Sequence, residues 1–129
     1  MLKRLLGTMI TYGYPKISLE SELDLAEFLG VRVVEVLPVW SSYPDPAPLR
    51  RAVQDRGLMV HSVHGCWGGQ SIRASRVEIA QADPAGRRDS VDDLRRCIDW
   101  LHAAGGSHLV IHPGGLSMKE DFESRRGWL

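Results

Sequence analysis

The feature that most constrains this chain is its alternation of short apolar runs with amphipathic stretches, each switch marked by glycine or proline. A first apolar run from about Leu5 to Thr11 ends at Gly13-Tyr14-Pro15. Ser18 is placed to cap a helix with Leu19, Leu23, Ala26 and Leu29 along one stripe, and Gly30 supplies its stop. Arg32 to Leu37 is β-branched and apolar, the pattern of a strand buried on both faces, and Pro38 with the Ser41–Pro46 cluster closes it. A second helix is predicted from about Ala47 to Arg56, with Leu49, Ala52 and Val53 inward, and a third strand from Leu58 to His64. Residues 65 to 82 are the least regular part, rich in glycine and polar groups around Trp67.

Asp83-Pro84 reads as a helix cap followed by proline at the first helical position. The helix runs to about Ala104, with Val91, Leu94, Ile98 and Leu101 as its inward stripe, and Gly105-Gly106 stops it. His108 to His112 is the fourth strand, and a polar stretch from Lys119 begins to look helical. The order is therefore βαβαβαβ plus the start of a helix, which implies an α/β fold with a parallel sheet and right-handed crossovers. An open doubly wound sheet and half of a barrel share this order. The open sheet usually carries a glycine-rich phosphate loop, and Gly65-Cys66-Trp67-Gly68-Gly69 matches no such motif, which favours the barrel.

Composition removes several functions. Sixteen basic and sixteen acidic side chains cancel, so no overall field draws the chain to nucleic acid or to a membrane surface. Paired arginines such as Arg50/Arg51 and Arg95/Arg96 fall in or beside helices and read as solvated faces. Cys66 and Cys97 lie in different elements and form no CxxC, the pattern of a reduced protein. The apolar start is broken by Gly7-Thr8 and lacks a cleavage site, and no run reaches the roughly 20 residues of a spanning helix. A cytoplasmic location is expected.

In parallel α/β folds ligands gather at the carboxyl ends of strands, where Glu35, His64 and His112 fall. Strict alternation along a strand sends His61 and His64 to opposite faces, and His108 lies about 13 Å from His112 at the usual rise. Position therefore selects His64 and His112. Neutral imidazole suits zinc, manganese or iron, yet two ligands are too few for a zinc site, and each histidine has the plainer reading of a hydrogen-bonding group in a polar barrel mouth. Glu35, inside an apolar strand, must either meet a cation or line the site, because a buried unpaired carboxylate is costly. Trp67 either walls a sugar pocket or packs against its own loop. Asp83 is better spent as a cap than as a catalyst, and Cys66 has no evident activating partner.

Four segments in this order, Gly30–Val36, Val60–Gly65, Asp83–Arg88 and His108–Gly115, resemble the xylose isomerase-like TIM-barrel family, which includes sugar (phosphate) isomerases and epimerases and the family-2 AP endonucleases. The most specific piece is His112-Pro113-Gly114, about fifty residues after the strand ending in His64. The resemblance implies that residues 1–129 form the first half of such a barrel, four strands with covering helices, truncated in the fourth helix. In the endonuclease branch, histidines ending the third and fourth strands bind zinc, which corresponds to His64 and His112. In the epimerase branch a glutamate, an aspartate, a histidine and a second glutamate from strands five to eight hold the metal and move the proton, and these positions lie beyond this chain.

The resemblance thus implies a divalent metal (zinc, manganese or magnesium) at an incomplete site, with His64 and His112 as ligands. Glu35 and Trp67 stand on the substrate side, and no catalytic residue is present. The implied ligand is a small sugar or sugar phosphate. The first functional expectation is a fragment of an isomerase- or epimerase-like protein, inactive alone. The others are an AP-endonuclease-like zinc nuclease fragment, disfavoured by the zero net charge, and a non-catalytic half-barrel that binds or assembles. A four-stranded half exposes an apolar face and two edges, so it should pair with a second copy or with a separate second half-barrel.

Overall fold

The computed structural model describes residues 6–73 and 75–114. The residues from Lys119 on, predicted as the start of a helix, lie outside that range. Four strands, β1 (Gly7–Tyr12), β2 (Val33–Pro38), β3 (Met59–His64) and β4 (His108–Val110), alternate with three helices, α1 (Leu19–Phe28), α2 (Pro46–Asp55) and α3 (Pro84–Ala104). All three strand pairs are parallel, and the strands lie side by side in sequence order. A doubly wound sheet reverses its order and places helices on both faces. Here Ile10, Val34, Val36, Val60 and Val63 all turn to one face, where they form a core with Leu23, Leu49, Val53, Leu94 and Leu101 of the helices. Helices on one face and an unbroken strand order are the architecture of a partial (β/α) barrel.

The boundaries follow local chemistry. Asp45 and Asp83 cap α2 and α3, Asp45 accepting from the Ala47 N–H and Asp83 from those of Ala85 and Gly86, and each is followed by proline. Ser18 sits at the cap position of α1 without a side-chain hydrogen bond. Gly105 ends α3 at φ 87°, a left-handed conformation in which a side chain is strained.

Three expectations change. First, β2 is buried on one face only: Val34, Val36 and Pro38 are buried while Val33, Glu35 and Leu37 are half-buried. Its second face is the concave one, which the described residues leave open. Second, the inward stripe of α3 is Ser90, Asp93, Leu94, Cys97, Trp100, Leu101 and Ala104, whereas Val91 and Ile98 are exposed. The helix is turned by what it packs on, since Cys97 meets Cys66 and Trp100 meets Trp40. Leu29 is exposed too, so the α1 stripe reduces to Leu23 and Ala26 with Leu19 at its edge.

The third change concerns the histidines. The pairing of β2 with β3 runs Val34↔Val60 and then Glu35↔Ser62, so β3 carries one extra residue, His61, at that point. Val60 still faces the helices and His61 the open side, but Ser62 then joins Glu35 on the open side and Val63 returns to the core. A bulge of this kind resets the alternation. His61 and His64 therefore share the open face instead of pointing apart.

Candidate functional site

The carboxyl ends of β3 and β4 meet where Gly65 N–H donates to the Val110 carbonyl at 2.9 Å. That junction brings His64 and His112 together, with ring centroids 4.9 Å apart and Nε2 atoms 2.7 Å apart. On its other side the His64 ring meets Glu35, Nδ1 to Oε1 at 3.1 Å, and the second oxygen of Glu35 accepts from the Ser62 hydroxyl at 2.7 Å. Trp67 stands over the pair, its ring 5.3 Å from that of His112 and 6.2 Å from that of His64. The four residues singled out from the sequence thus form one contiguous group at the strand ends. His61 and His108 form a separate stacked pair lower on the same face, with ring centroids 4.4 Å apart.

Beneath the site lies a rigid aromatic support. Trp40, in the 3₁₀ turn Trp40–Ser42 after β2, is fully buried and its indole N–H donates to the His64 carbonyl at 2.9 Å. Trp100 of α3 packs edge-on against it at 5.4 Å and donates to the Pro44 carbonyl. Buried indoles that spend their N–H on a loop carbonyl fix that loop. Sequence reasoning passed over Trp40. Its signal was a large aromatic two residues past a strand end.

Burial pushes the Glu35 carboxyl up, but the hydrogen bonds from Ser62 and His64 and the charge of the nearby histidines outweigh it. The group is held below the usual carboxylate range. An ionised Glu35 accepts, so His64 donates from Nδ1, and in its neutral form the ring would present an Nε2 lone pair toward His112. This is the arrangement in which a carboxylate orients a ligating imidazole.

Two imidazole nitrogens bound to one tetrahedral ion at ~2.0–2.1 Å lie about 3.3 Å apart. The histidines would therefore separate by roughly half an ångström to admit an ion, within the reach of small rotamer adjustments. Among the described residues no group of three or more His, Cys, Asp or Glu side chains is arranged to hold a metal. The donor type fits a divalent ion, and the donor number falls short.

Asp83 is spent on the α3 cap, and the N–H groups of Gly86 and Ala85 hold its carboxyl below the ordinary range. Cys66 does have a neighbour: its backbone N–H donates to Cys97 Sγ, and the hydrogen bond with Cys66 together with burial pushes the Cys97 thiol up. Both cysteines are free and buried, so neither is placed as a nucleophile.

Parallel β/α units with their helices on one face of the sheet, and a histidine pair at the strand ends, define the mouth of a partial (β/α) barrel. The chain belongs to the xylose isomerase-like TIM barrel family, whose sequence pattern matches residues 19–128. Among solved structures it is similar to a xylose isomerase domain protein from Planctomyces limnophilus, at 16% identity and TM-score 0.64, over 95% of this chain and 46% of that one. It is also similar to a protein from Sinorhizobium meliloti 1021, at 20% identity and TM-score 0.62, over 88% of this chain and 38% of that one. The chain therefore spans less than half the length of either structure, and at these identities the likeness is one of fold. No curated protein sequence matches it. No helix among the described residues is long and apolar enough to cross a membrane.

Proposed function

We propose that this chain supplies one wall of the mouth of a sugar isomerase- or epimerase-like barrel, with His64 and His112 as ligands of a divalent metal. The observation that carries this reading is the meeting of the two Nε2 atoms at 2.7 Å, with Glu35 on the far side of His64. Glu35 then acts through His64, fixing its tautomer and ring plane, while Trp67 forms the apolar wall against which a sugar ring lies. A bound divalent ion would polarise a carbonyl oxygen of the substrate. Proton transfer needs a base within hydrogen-bond reach of the carbon acid. Glu35 is engaged by Ser62 and His64, so this wall binds and orients and leaves the proton movement to groups elsewhere. Residues 1–129 accordingly form part of a barrel domain, completed by a second half-barrel or a second copy.

The test is metal titration of the full chain with zinc, manganese or cobalt, read by chelator competition and, for cobalt, by absorption. His64→Ala and His112→Ala should each weaken binding at least about tenfold, since each removes one of two nitrogen donors. Affinity unchanged in both variants would sink the metal site. The nuclease alternative lacks support: the net charge is zero, and the side chain paired with His64 is the carboxylate of Glu35.

A further inference from the structure

The loop between β3 and α3 is drawn into a neck where Gly68 and Val77 exchange backbone hydrogen bonds at 3.1 and 3.2 Å. Arg73 ties the same loop to α3, its guanidinium 2.9 Å from Asp93 and 3.1 Å from Asp89. Between this loop and the turn after β2 lies a cavity of about 480 Å³, bounded by Ser41, Gly68, Gly69, Ser71, Ser75 and Arg76. Neither histidine of the strand-end pair borders it. Ser71 is 1% exposed, and its hydroxyl has no hydrogen-bond partner. A buried hydroxyl left unpaired is costly, and in a folded protein it calls for a water or a ligand.

The chemistry of the lining selects the ligand. It offers three hydroxyls, a guanidinium and a glycine pair, and among the described residues no carboxylate and no large apolar side chain. The space over the glycines is open, since a Cβ at Gly68 or Gly69 would meet no atom within 4 Å. Arg76 Nε stands 2.8 Å from Glu78 Oε2, an ion pair that uses one edge of the guanidinium and leaves its Nη groups for the cavity. A guanidinium only donates, so a ligand here must accept, and it must do so in several directions to meet the hydroxyls as well. A tetrahedral oxyanion meets both demands and takes the planar Nη pair in a bidentate fashion.

We infer that this cavity is a binding site for a tetrahedral oxyanion of the phosphate class, held by the Nη groups of Arg76 and by the Ser71 hydroxyl. Two charge-assisted hydrogen bonds with one neutral one set an affinity on the order of 1 mM. The site shares no residue with the His64–His112 pair, so the inference stands apart from the metal reading.

The experiment is calorimetric titration of the full chain, without added metal, with inorganic phosphate at constant ionic strength, and with thermal melts in parallel. Arg76→Ala, at an exposed side chain, should weaken phosphate at least about tenfold, and Ser71→Ala about two- to tenfold. Ser71→Ala should also raise the melting temperature of the phosphate-free chain by removing the unpaired hydroxyl, and should shrink the rise that phosphate gives. Gly69→Asp sets a carboxylate in open space over the cavity, so it should abolish binding and leave the fold intact. Glycerol 3-phosphate separates two sources of the same group. Affinity equal to that of phosphate assigns the site to the terminal group of an ester, and failure of the ester alone assigns it to the free ion. Absence of binding at about ten times the expected dissociation constant overturns the proposal and leaves Ser71 to a water. Binding that survives both Arg76→Ala and Gly69→Asp overturns it too. His64→Ala and His112→Ala should leave phosphate affinity unchanged, so failure here and failure of the metal site are read separately.

Discussion

At the scale of single residues, Glu35 shows how an energetic misfit in the sequence becomes a working part. A carboxylate between valines must be compensated, and the compensation comes from Ser62 and His64 on the neighbouring strand. Its carboxyl titrates below the usual range, so the stabilisation it confers is complete above the unfolded carboxylate pKa of ~4.3 and disappears as pH falls through the lower folded value. Glu35→Gln should therefore lose its stability deficit relative to the parent in acid, a convergence that thermal melts across pH would reveal. The same variant should weaken metal binding by about 10- to 100-fold, the usual effect of removing a carboxylate behind a ligating histidine. Full metal affinity in Glu35→Gln would mean that the charge of the carboxylate is not needed to hold His64 as a ligand. The sequence showed that Glu35 needed a partner but not which one. The bulge at His61 decides that, and it depends on pairing between strands that no local pattern encodes.

At the scale of elements, the joint between β3 and β4 sets the histidine geometry, and Gly65 is its tightest point. A Cβ at Gly65 would sit 3.0 Å from the Val110 carbonyl oxygen and 3.3 Å from Leu94 Cδ2, so the strand end or α3 must give way. Gly65→Ala should separate His64 from His112 and weaken metal binding along with stability. Gly30→Ala is the matching control: it sits at φ 67° with nothing near its missing Cβ, so it should cost about 1–2 kcal/mol of backbone strain and leave metal affinity unchanged. Equal metal affinities in the two variants would show that the joint does not govern the site. Helix boundaries were the most legible part of the sequence, because Asp83-Pro84 and Gly105 mark α3 by local chemistry alone. Its buried stripe was not, because a period of 3.6 fixes the spacing of a face and leaves its rotation to the tertiary partners. Here Cys66 and Trp40 set that rotation, drawing Cys97 and Trp100 inward and leaving Val91 and Ile98 exposed.

At the scale of the whole molecule, the concave face decides how the chain behaves in solution. Met9 and Met59, each 55% exposed, stand on that face with His61 and His108, and among the described residues no second layer covers them. The outer edges of β1 and β4 likewise have no further strand beside them among the described residues. In a closed barrel these side chains are packed inside and the edges are paired, so the described residues carry the inner surface of a partial barrel. Strand order was readable from the alternation of elements, but the open face was not: Val33-Val34-Glu35-Val36 reads the same whether its second side packs on helices or on the far wall of a barrel. We predict concentration-dependent association of the chain, seen as a rising sedimentation coefficient across the micromolar range and accompanied by binding of a hydrophobic dye. Met9→Lys with Met59→Lys places two charges on the concave face without touching the helix-side core, and should reduce both signals while preserving the helical circular dichroism. A chain that sediments as a monomer at every concentration and binds no dye would show that the concave face is already satisfied within one molecule. Association that persists in the double lysine variant would move the contact to the strand edges, where proline at an outward-facing position of β1 should then abolish it.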